Sequence, residues 1–371
     1  MKKVTLGRTG MKVSNIGYGT SRGNLDPSTI LYAVEKGMNY FDTSEGYGRG
    51  GAERNLGRAI KKVRSQVHIT TKVGSVNAAG RITRSTSKEE ILTRARACLE
   101  RLDTPYLDCL FIHNAGDPDL GGFDNPHLHE VVRQLKAEGK VKHFGLSCHH
   151  HNLIDVVRHA VASDKVDAML LAYSFFQRKG TPKDWLSQFD DVLSLARAKN
   201  IGITVMKTLQ GAQGSGAVPK DIDRWEGKKA AAKWALGRPH VDVAVLSLSS
   251  TTEIDEMIGI SQEPMSARDW DVLSRLSGDY PGLCPVGCPA PCLDRCPASV
   301  AIPDVLRMDM YFTSYGWEKE AILEYATLPP KRTAMSCTAC SETRCARGCS
   351  SGLDVKVCLL KAHQNLTLDV V

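Results

Sequence analysis

The residues with the widest chemical reach are cysteines. The chain has 12 of them in 371 residues. Eight fall in two sets near the C-terminus: Cys284, Cys288, Cys292 and Cys296, followed by Pro297, and then Cys337, Cys340, Cys345 and Cys349. Thiolates bunched in this way bind soft metal ions or iron–sulfur clusters, or pair as disulfides. Cys98, Cys109 and Cys358 fall on helix or strand patterns and read as packing residues.

A second chemical group closes a series of short β-rich runs: Thr20, Asp42, Lys72, His113, Ser147, Tyr173, Lys207 and Ser247. The runs are 13–20, 38–42, 67–72, 107–112, 141–147, 167–173, 201–206 and 242–247. Helical patterns at 52–63, 88–101, 127–138, 152–162 and 184–199 lie between them. Alternation of this kind predicts an α/β fold, a (β/α)8 TIM barrel, whose functional groups sit where strands end and loops begin. Residues Val4–Val13 read as a hairpin capping the barrel bottom. Two long connections, 114–126 and 208–227, read as binding loops.

The alternation stops near residue 280. Pro281, Pro285, Pro289, Pro291 and Pro297 rule out regular helix there, and helical pattern returns at 303–326 and 353–365. The expected organisation is a barrel over 1–280 and a small, mainly helical, cysteine-rich domain over 281–371.

Composition bounds the setting. The chain is 42% apolar and 24% charged, with a net charge of +7. No basic run points to nucleic acid, and no apolar run reaches the roughly 18 residues of a membrane span. The N-terminus has basic residues but no apolar stretch behind them, so a cytoplasmic location is expected. In that compartment, metal ligation is a better use of clustered cysteines than disulfides.

The barrel segment resembles the aldo-keto reductase family over about residues 4–260. The resemblance rests on Asp42, Tyr47 five residues later, Lys72 in Ile69-Thr70-Thr71-Lys72-Val73, and His113 in Leu110-Phe111-Ile112-His113-Asn114. It implies interconversion of a carbonyl (aldehyde, ketone or sugar-like) and an alcohol. Tyr47 would be the general acid/base, and Lys72 would lower its pKa by stabilising phenolate. Asp42 would hold Lys72, and His113 would orient the carbonyl. A Schiff-base role for Lys72 is the competing enzymatic reading, and a structural ion-pair network is the bland one.

The resemblance also implies NADP(H) or NAD(H) laid across the barrel mouth. Thr20, Ser147, Tyr173, Met206, Lys207, Ser247 and Ser249 are the residues expected to hold it. Cys148 replaces the Asn that usually follows Ser147, and Leu170 stands where a Gln is usual. After the eighth strand, Ser247-Leu248-Ser249-Ser250-Thr251-Thr252-Glu253 lacks the Lys or Arg that family members use to bind a 2′-phosphate. His149, His150 and His151 read as polar loop residues beside the substrate pocket, with a metal site as the lesser alternative.

The tail resembles the ferredoxin-like extension found in one branch of the family. Spacings of x3, x3 and x3-Pro in the first set, and x2, x4 and x3 in the second, depart from the ferredoxin pattern. The eight cysteines would hold one or two [4Fe–4S] clusters, with the fourth cysteine of each set crossing to the other cluster. Zinc and disulfides stay open as alternatives. The expected partners are a small carbonyl or alcohol substrate and a separate redox protein. The contrasting function is a non-catalytic electron-transfer or regulatory module that uses the barrel as scaffold.

Overall fold

The computed structural model describes residues 1–21, 26–74, 86–116, 122–178, 184–209, 222–278, 284–285, 288–349 and 351–367. Lys3–Thr5 (β1) and Lys12–Ser14 (β2) pair antiparallel as the expected hairpin. Eight parallel strands then close into a barrel among the described residues: Ile16–Gly19 (β3), Tyr40–Asp42 (β4), His68–Val73 (β5), Leu107–Ile112 (β6), Val141–Cys148 (β7), Ala168–Ala172 (β8), Gly202–Met206 (β9) and Val243–Ser247 (β10). Closure is between β10 and β3, with Ala244 opposite Ile16 and Ser247 opposite Gly19.

The period of two along each strand sorts residues between two cores. Tyr40, Cys109, Phe111, Ala168, Leu170, Val243 and Val245 point inward and fill the barrel, joined from below by Leu6, Met11 and Val13 of the hairpin. Their neighbours in the strands, such as Phe41, Leu110, Met169 and Leu246, face the surrounding helices. Each large side chain buried this way contributes about 1.5–3 kcal/mol. The hairpin seals the bottom at very close range. A Cβ on Gly7, whose φ is +45°, would meet backbone atoms of Asn200, Ile201 and Gly202.

Helix starts follow capping chemistry. The side chains of Asp26, Ser87 and Asn125 each accept a backbone N–H one or two residues into the helix that follows. Two expectations need correcting. The loop predicted to run to 227 ends earlier, because Asp223 and Glu226 form a capping box that starts the helix Arg224–Leu236. Gly227 was read as a loop residue, but it lies inside that helix, where the side chain of Leu276 packs over it. Residues 210–221 of the predicted loop lie outside the described residues. The helix predicted over 303–326 is two helices, Ile302–Tyr315 and Glu318–Tyr325. Gly316, at φ 67°, ends the first in the left-handed conformation.

Those two helices and Val355–Leu366 enclose a second core that includes Ile302, Val305, Met310, Tyr325, Leu359 and Leu366. No helix among the described residues is long and apolar enough to cross a membrane.

Candidate active site and cysteine centre

Asp42 ends β4 and Lys72 lies in β5, both facing the barrel interior. The register sets Asp42 beside Thr70, and Thr70 Oγ1 donates to Asp42 Oδ1 at 2.9 Å. Lys72 Nζ donates to Asp42 Oδ2 at 2.5 Å and to the Thr43 carbonyl at 2.7 Å. It also reaches Tyr47 Oη at 3.4 Å. A turn after β4 delivers Tyr47, with the Tyr47 N–H on the Ser44 carbonyl at 3.1 Å. His113 follows β6, its N–H on the Val73 carbonyl at 2.8 Å. Its ring meets Tyr47 edge-on at 5.9 Å and 88°. Ser44 Oγ lies 3.2 Å from His113 Nδ1, fixing the ring. The structure therefore brings Asp42, Tyr47, Lys72 and His113 together at the C-terminal mouth.

Burial works against the Lys72 charge, but the Asp42 carboxylate and the Tyr47 phenol outweigh it and hold the ammonium above its ordinary value. Tyr47 departs from the sequence expectation. Burial pushes its pKa up and exceeds the downward pull of Lys72, so the net direction is upward. The Tyr47 phenol therefore keeps its proton at neutral pH.

The expected cofactor residues separate into two groups. Ser147 faces inward, and its Oγ accepts the Asn114 N–H at 3.0 Å. Ser247 Oγ pairs with Ser21 Oγ at 2.7 Å. Thr20 holds β4, its N–H on the Asp42 carbonyl at 2.9 Å. Met206 reaches the upper edge of the inner core. Lys207 sits just past β9 at φ +58°, a conformation that costs a non-glycine residue energy and clusters at functional sites. Tyr173 does not join them. It falls on the outward phase of β8, packed between Phe189 and Trp234. Its hydroxyl donates to Asp190 at 2.5 Å and accepts from Arg238 at 3.0 Å. Ser249 is engaged as well: its N–H and Oγ both bond Glu253 Oε2 at 2.9 Å. Glu253 also pairs with Lys228 from the preceding helix. This cation near the eighth strand escaped the sequence reading because it lies on a different element.

The tail was expected to dock beside the substrate site, and the helix Ile302–Tyr315 is the part of it that reaches the mouth. Lys207 Nζ donates to Tyr311 Oη at 2.7 Å, and Tyr311 is close enough to Tyr47 to push its ionisation up. Arg307 pairs with Asp304 at 2.8 Å and lies 3.7 Å from Glu324. His149, His150, His151, Asp304, Arg307, Cys284 and Cys288 line a cavity between the mouth and the tail.

No disulfide is formed among the described residues. Cys296, Cys337, Cys340 and Cys345 line one cavity. Burial pushes the Cys337 thiol up to about 11, with Cys296, Cys340 and Cys345 adding to the shift. Burial likewise pushes Cys292 to about 12, with help from Cys288 and Cys349. Cys284 rises by burial and by the proximity of Cys288, Cys292 and Cys349. By these mutual effects Cys284, Cys288 and Cys292 lie near Cys349, and Cys337, Cys340 and Cys345 near Cys296, with Cys345 also felt by Cys292. Among the described residues, no three His, Cys, Asp or Glu side chains close on a single-ion site.

The family model for the aldo/keto reductase family matches residues 10–224. A NADH-specific methylglyoxal reductase of Escherichia coli K12 is 30% identical over 247 residues, 60% of this chain and 71% of that protein. An uncharacterised oxidoreductase of Bacillus subtilis, YqkF, is 28% identical over 200 residues, 52% of this chain and 61% of that protein. The match to the Bacillus protein thus spans less than two thirds of its length. Among solved structures, the aldo-keto reductase AKR11C1 from Bacillus halodurans in its holo form superposes with a TM-score of 0.59 at 21% identity. That superposition covers 74% of this chain and 96% of that one, and it speaks to the fold. With the family model covering more than half of its residues, the chain belongs to the aldo/keto reductase family.

Proposed function

We propose that the chain is a nicotinamide-dependent oxidoreductase that interconverts a small carbonyl and its alcohol. The observation that carries this reading is the buried line from Asp42 through Lys72 to Tyr47, with His113 edge-on to the phenol. The bound nicotinamide would supply hydride to the carbonyl carbon. Tyr47 Oη gives its proton to the carbonyl oxygen, and Lys72 stabilises the phenolate left behind. Asp42 keeps Lys72 charged and aimed. His113, fixed by Ser44, holds the oxygen as negative charge develops on it. In the alcohol-oxidising direction, tyrosinate takes the proton.

The donor set suits a dinucleotide. The Ser21–Ser247 hydroxyl pair and the N-terminus of the helix Thr251–Gly259 offer hydroxyls and amides of the kind that hold phosphates. Glu253, bonded to Ser249 and paired with Lys228, places a carboxylate where a 2′-phosphate would need a free cation, so NADH is the favoured cofactor. The name of the Escherichia coli relative points to methylglyoxal as a first substrate.

The tail, taken as residues 281–371, is proposed to be a ferredoxin-like unit with two [4Fe–4S] clusters. One would be held by Cys284, Cys288, Cys292 and Cys349, the other by Cys296, Cys337, Cys340 and Cys345. The mutual proximity of the thiols within each group supports this partition. Buried thiols with raised pKa values are neutral alone and need a soft cation to become thiolates. A cluster is also larger than one ion, so its four thiolates stand further apart than a single-ion site requires. The clusters' first role is to hold the tail's small core together. Exchange of single electrons with a separate redox protein is the second. The test is NADH oxidation with methylglyoxal by the anaerobically purified chain, alongside Tyr47→Phe. Loss of turnover with NADH binding retained supports the reading. Wild-type chain that binds no nicotinamide contradicts it.

A further inference from the structure

The cavity between the barrel mouth and the tail is lined by two residues with unpartnered buried atoms, one from each side. His149 follows β7 on the barrel, its N–H on Asn114 Oδ1 at 3.5 Å. Arg307 lies on the tail helix Ile302–Tyr315. Arg307 Nε and His149 Nδ1 are both buried with no hydrogen-bond partner among the described residues. Cys284 and Cys288 line the same cavity, and the reacting groups Tyr47, Lys72 and His113 do not. Buried polar atoms in native proteins are nearly always satisfied, so this pair calls for a partner placed between barrel and tail.

The chemistry of the two atoms narrows that partner. A guanidinium has donors and no acceptor, so Arg307 Nε needs an acceptor. A neutral imidazole carries its proton on the nitrogen that meets an acceptor, so His149 Nδ1 can serve the same partner. The anionic acceptors lining the cavity are the Asp304 carboxylate and the thiolates that Cys284 and Cys288 would present. Arg307 Nη1 already engages Asp304 at 2.8 Å, which leaves the sulfurs. Burial dominates the Cys284 thiol and pushes it up, but Arg307 is close enough to pull the other way. The backbone adds a donor of the same kind: Ala290, held at φ +54°, aims its N–H at Cys288 Sγ at 3.4 Å. The other cysteine cavity differs. Its cation, Lys356, is engaged by the Cys340 carbonyl, and none of its described lining side chains has an unpartnered buried nitrogen or oxygen.

We propose that Arg307 and His149 donate hydrogen bonds to the sulfurs of the cluster held by Cys284, Cys288, Cys292 and Cys349, so that barrel and tail together set the reduction potential of that cluster and not of the other. A cluster on four thiolates is an anion and gains further negative charge on one-electron reduction. Donors to its sulfurs therefore stabilise the reduced form more than the oxidised one and raise the potential. This rests on the reading of the tail as a two-cluster unit. It makes Arg307 and His149 positioning residues that act on the cluster rather than on the carbonyl.

The experiment is a mediated electrochemical titration of the full, anaerobically purified chain, followed by EPR, in wild type, Arg307→Lys and His149→Phe, with iron counted on each sample. Arg307→Lys keeps a charge beside Asp304 and Glu324 and removes Nε. His149→Phe keeps a flat ring and removes both nitrogens. Losing one donor to a charged acceptor corresponds to about tenfold in the reduction equilibrium, or about 59 mV for a one-electron couple. The wild-type chain is expected to show two one-electron steps. In each variant the same step is expected to move to lower potential by that amount while the other stays, with iron unchanged. If neither step moves, water satisfies the two atoms and the proposal is overturned. Both steps moving together, the two variants moving different steps, or either variant losing iron would make the residues structural and overturn it as well. Those outcomes leave the two-cluster reading standing. A wild-type chain with no iron, or with a single step, sinks both.

Discussion

Lys72 and Asp42 form an ion pair at 2.5 Å inside the barrel, with side-chain exposures of 1% and 5%. Desolvating two charges at such depth is costly, and well-packed apolar residues of similar size would serve the fold as well or better. The pair is kept company by further polar contacts, from Lys72 to the Thr43 carbonyl and from Thr70 to Asp42. Its position next to Tyr47 gives the cost a purpose.

Replacing one partner should therefore hurt twice. Lys72→Met is expected to lower the rate by about 10²–10⁴-fold, the range for losing acid–base assistance. It should also destabilise the chain by about 3–5 kcal/mol, because Asp42 is left buried without its cation. Lys72→Met with Asp42→Leu should regain much of the stability and none of the activity. Denaturant unfolding and steady-state rates on the same samples check both halves. A stable but inactive Lys72→Met chain would detach the pair from the energetic argument.

The pH dependence has a definite sign. On the proposed mechanism reduction needs Tyr47 protonated, and burial raises its pKa above the ordinary 10.0 against the pull of Lys72. The reduction rate should therefore hold across neutral pH and fall only as pH rises through that raised value. Alcohol oxidation needs tyrosinate and should climb with pH over the same window. A reduction profile that falls below pH 9 would point to another acid.

Much of this site was legible in the sequence, and the reasons are local. Strand periodicity and the motif around Asp42, Lys72 and His113 fix where those side chains emerge. The same periodicity, followed to the end of β8, turns Tyr173 outward, and the resemblance alone did not reveal that. Contacts that join distant elements were not legible. Lys228 pairs with Glu253 across two helices, and Lys207 meets Tyr311 over 104 residues of sequence. Nothing in the local pattern of the tail says which of its helices covers the mouth. The break at Gly316 shows the opposite failure: a local signal was present and was overridden by the longer apolar pattern around it.

Cofactor choice should turn on Glu253. Glu253→Gln keeps the side chain's size and its acceptor for Ser249, and removes the charge that occupies Lys228. NADPH efficiency relative to NADH should rise about tenfold, the equivalent of about 1.4 kcal/mol for one charge-assisted contact. Initial rates with both cofactors decide it. An unchanged ratio would move the 2′-site elsewhere.

The crossed ligation proposed for the cysteines predicts the outcome of a particular double variant. If Cys349 completes the site of Cys284, Cys288 and Cys292, then Cys284→Ser with Cys349→Ser disables one cluster. Iron should drop from about eight to about four atoms per chain. If each set held its own cluster, the same pair of changes would disable both. Iron and sulfide analysis under anaerobic conditions distinguishes them, and zinc in place of iron would contradict the cluster assignment altogether.

The most direct test of the account is single-turnover reduction of methylglyoxal with NADH by wild-type chain and Tyr47→Phe, with NADH affinity measured on both. The account predicts oxidation of NADH by the wild-type chain. For Tyr47→Phe it predicts unchanged NADH affinity and a rate lower by about 10²–10⁴-fold. A Tyr47→Phe chain that reduces the aldehyde at the wild-type rate would remove Tyr47 from the chemistry and with it the reading of the site.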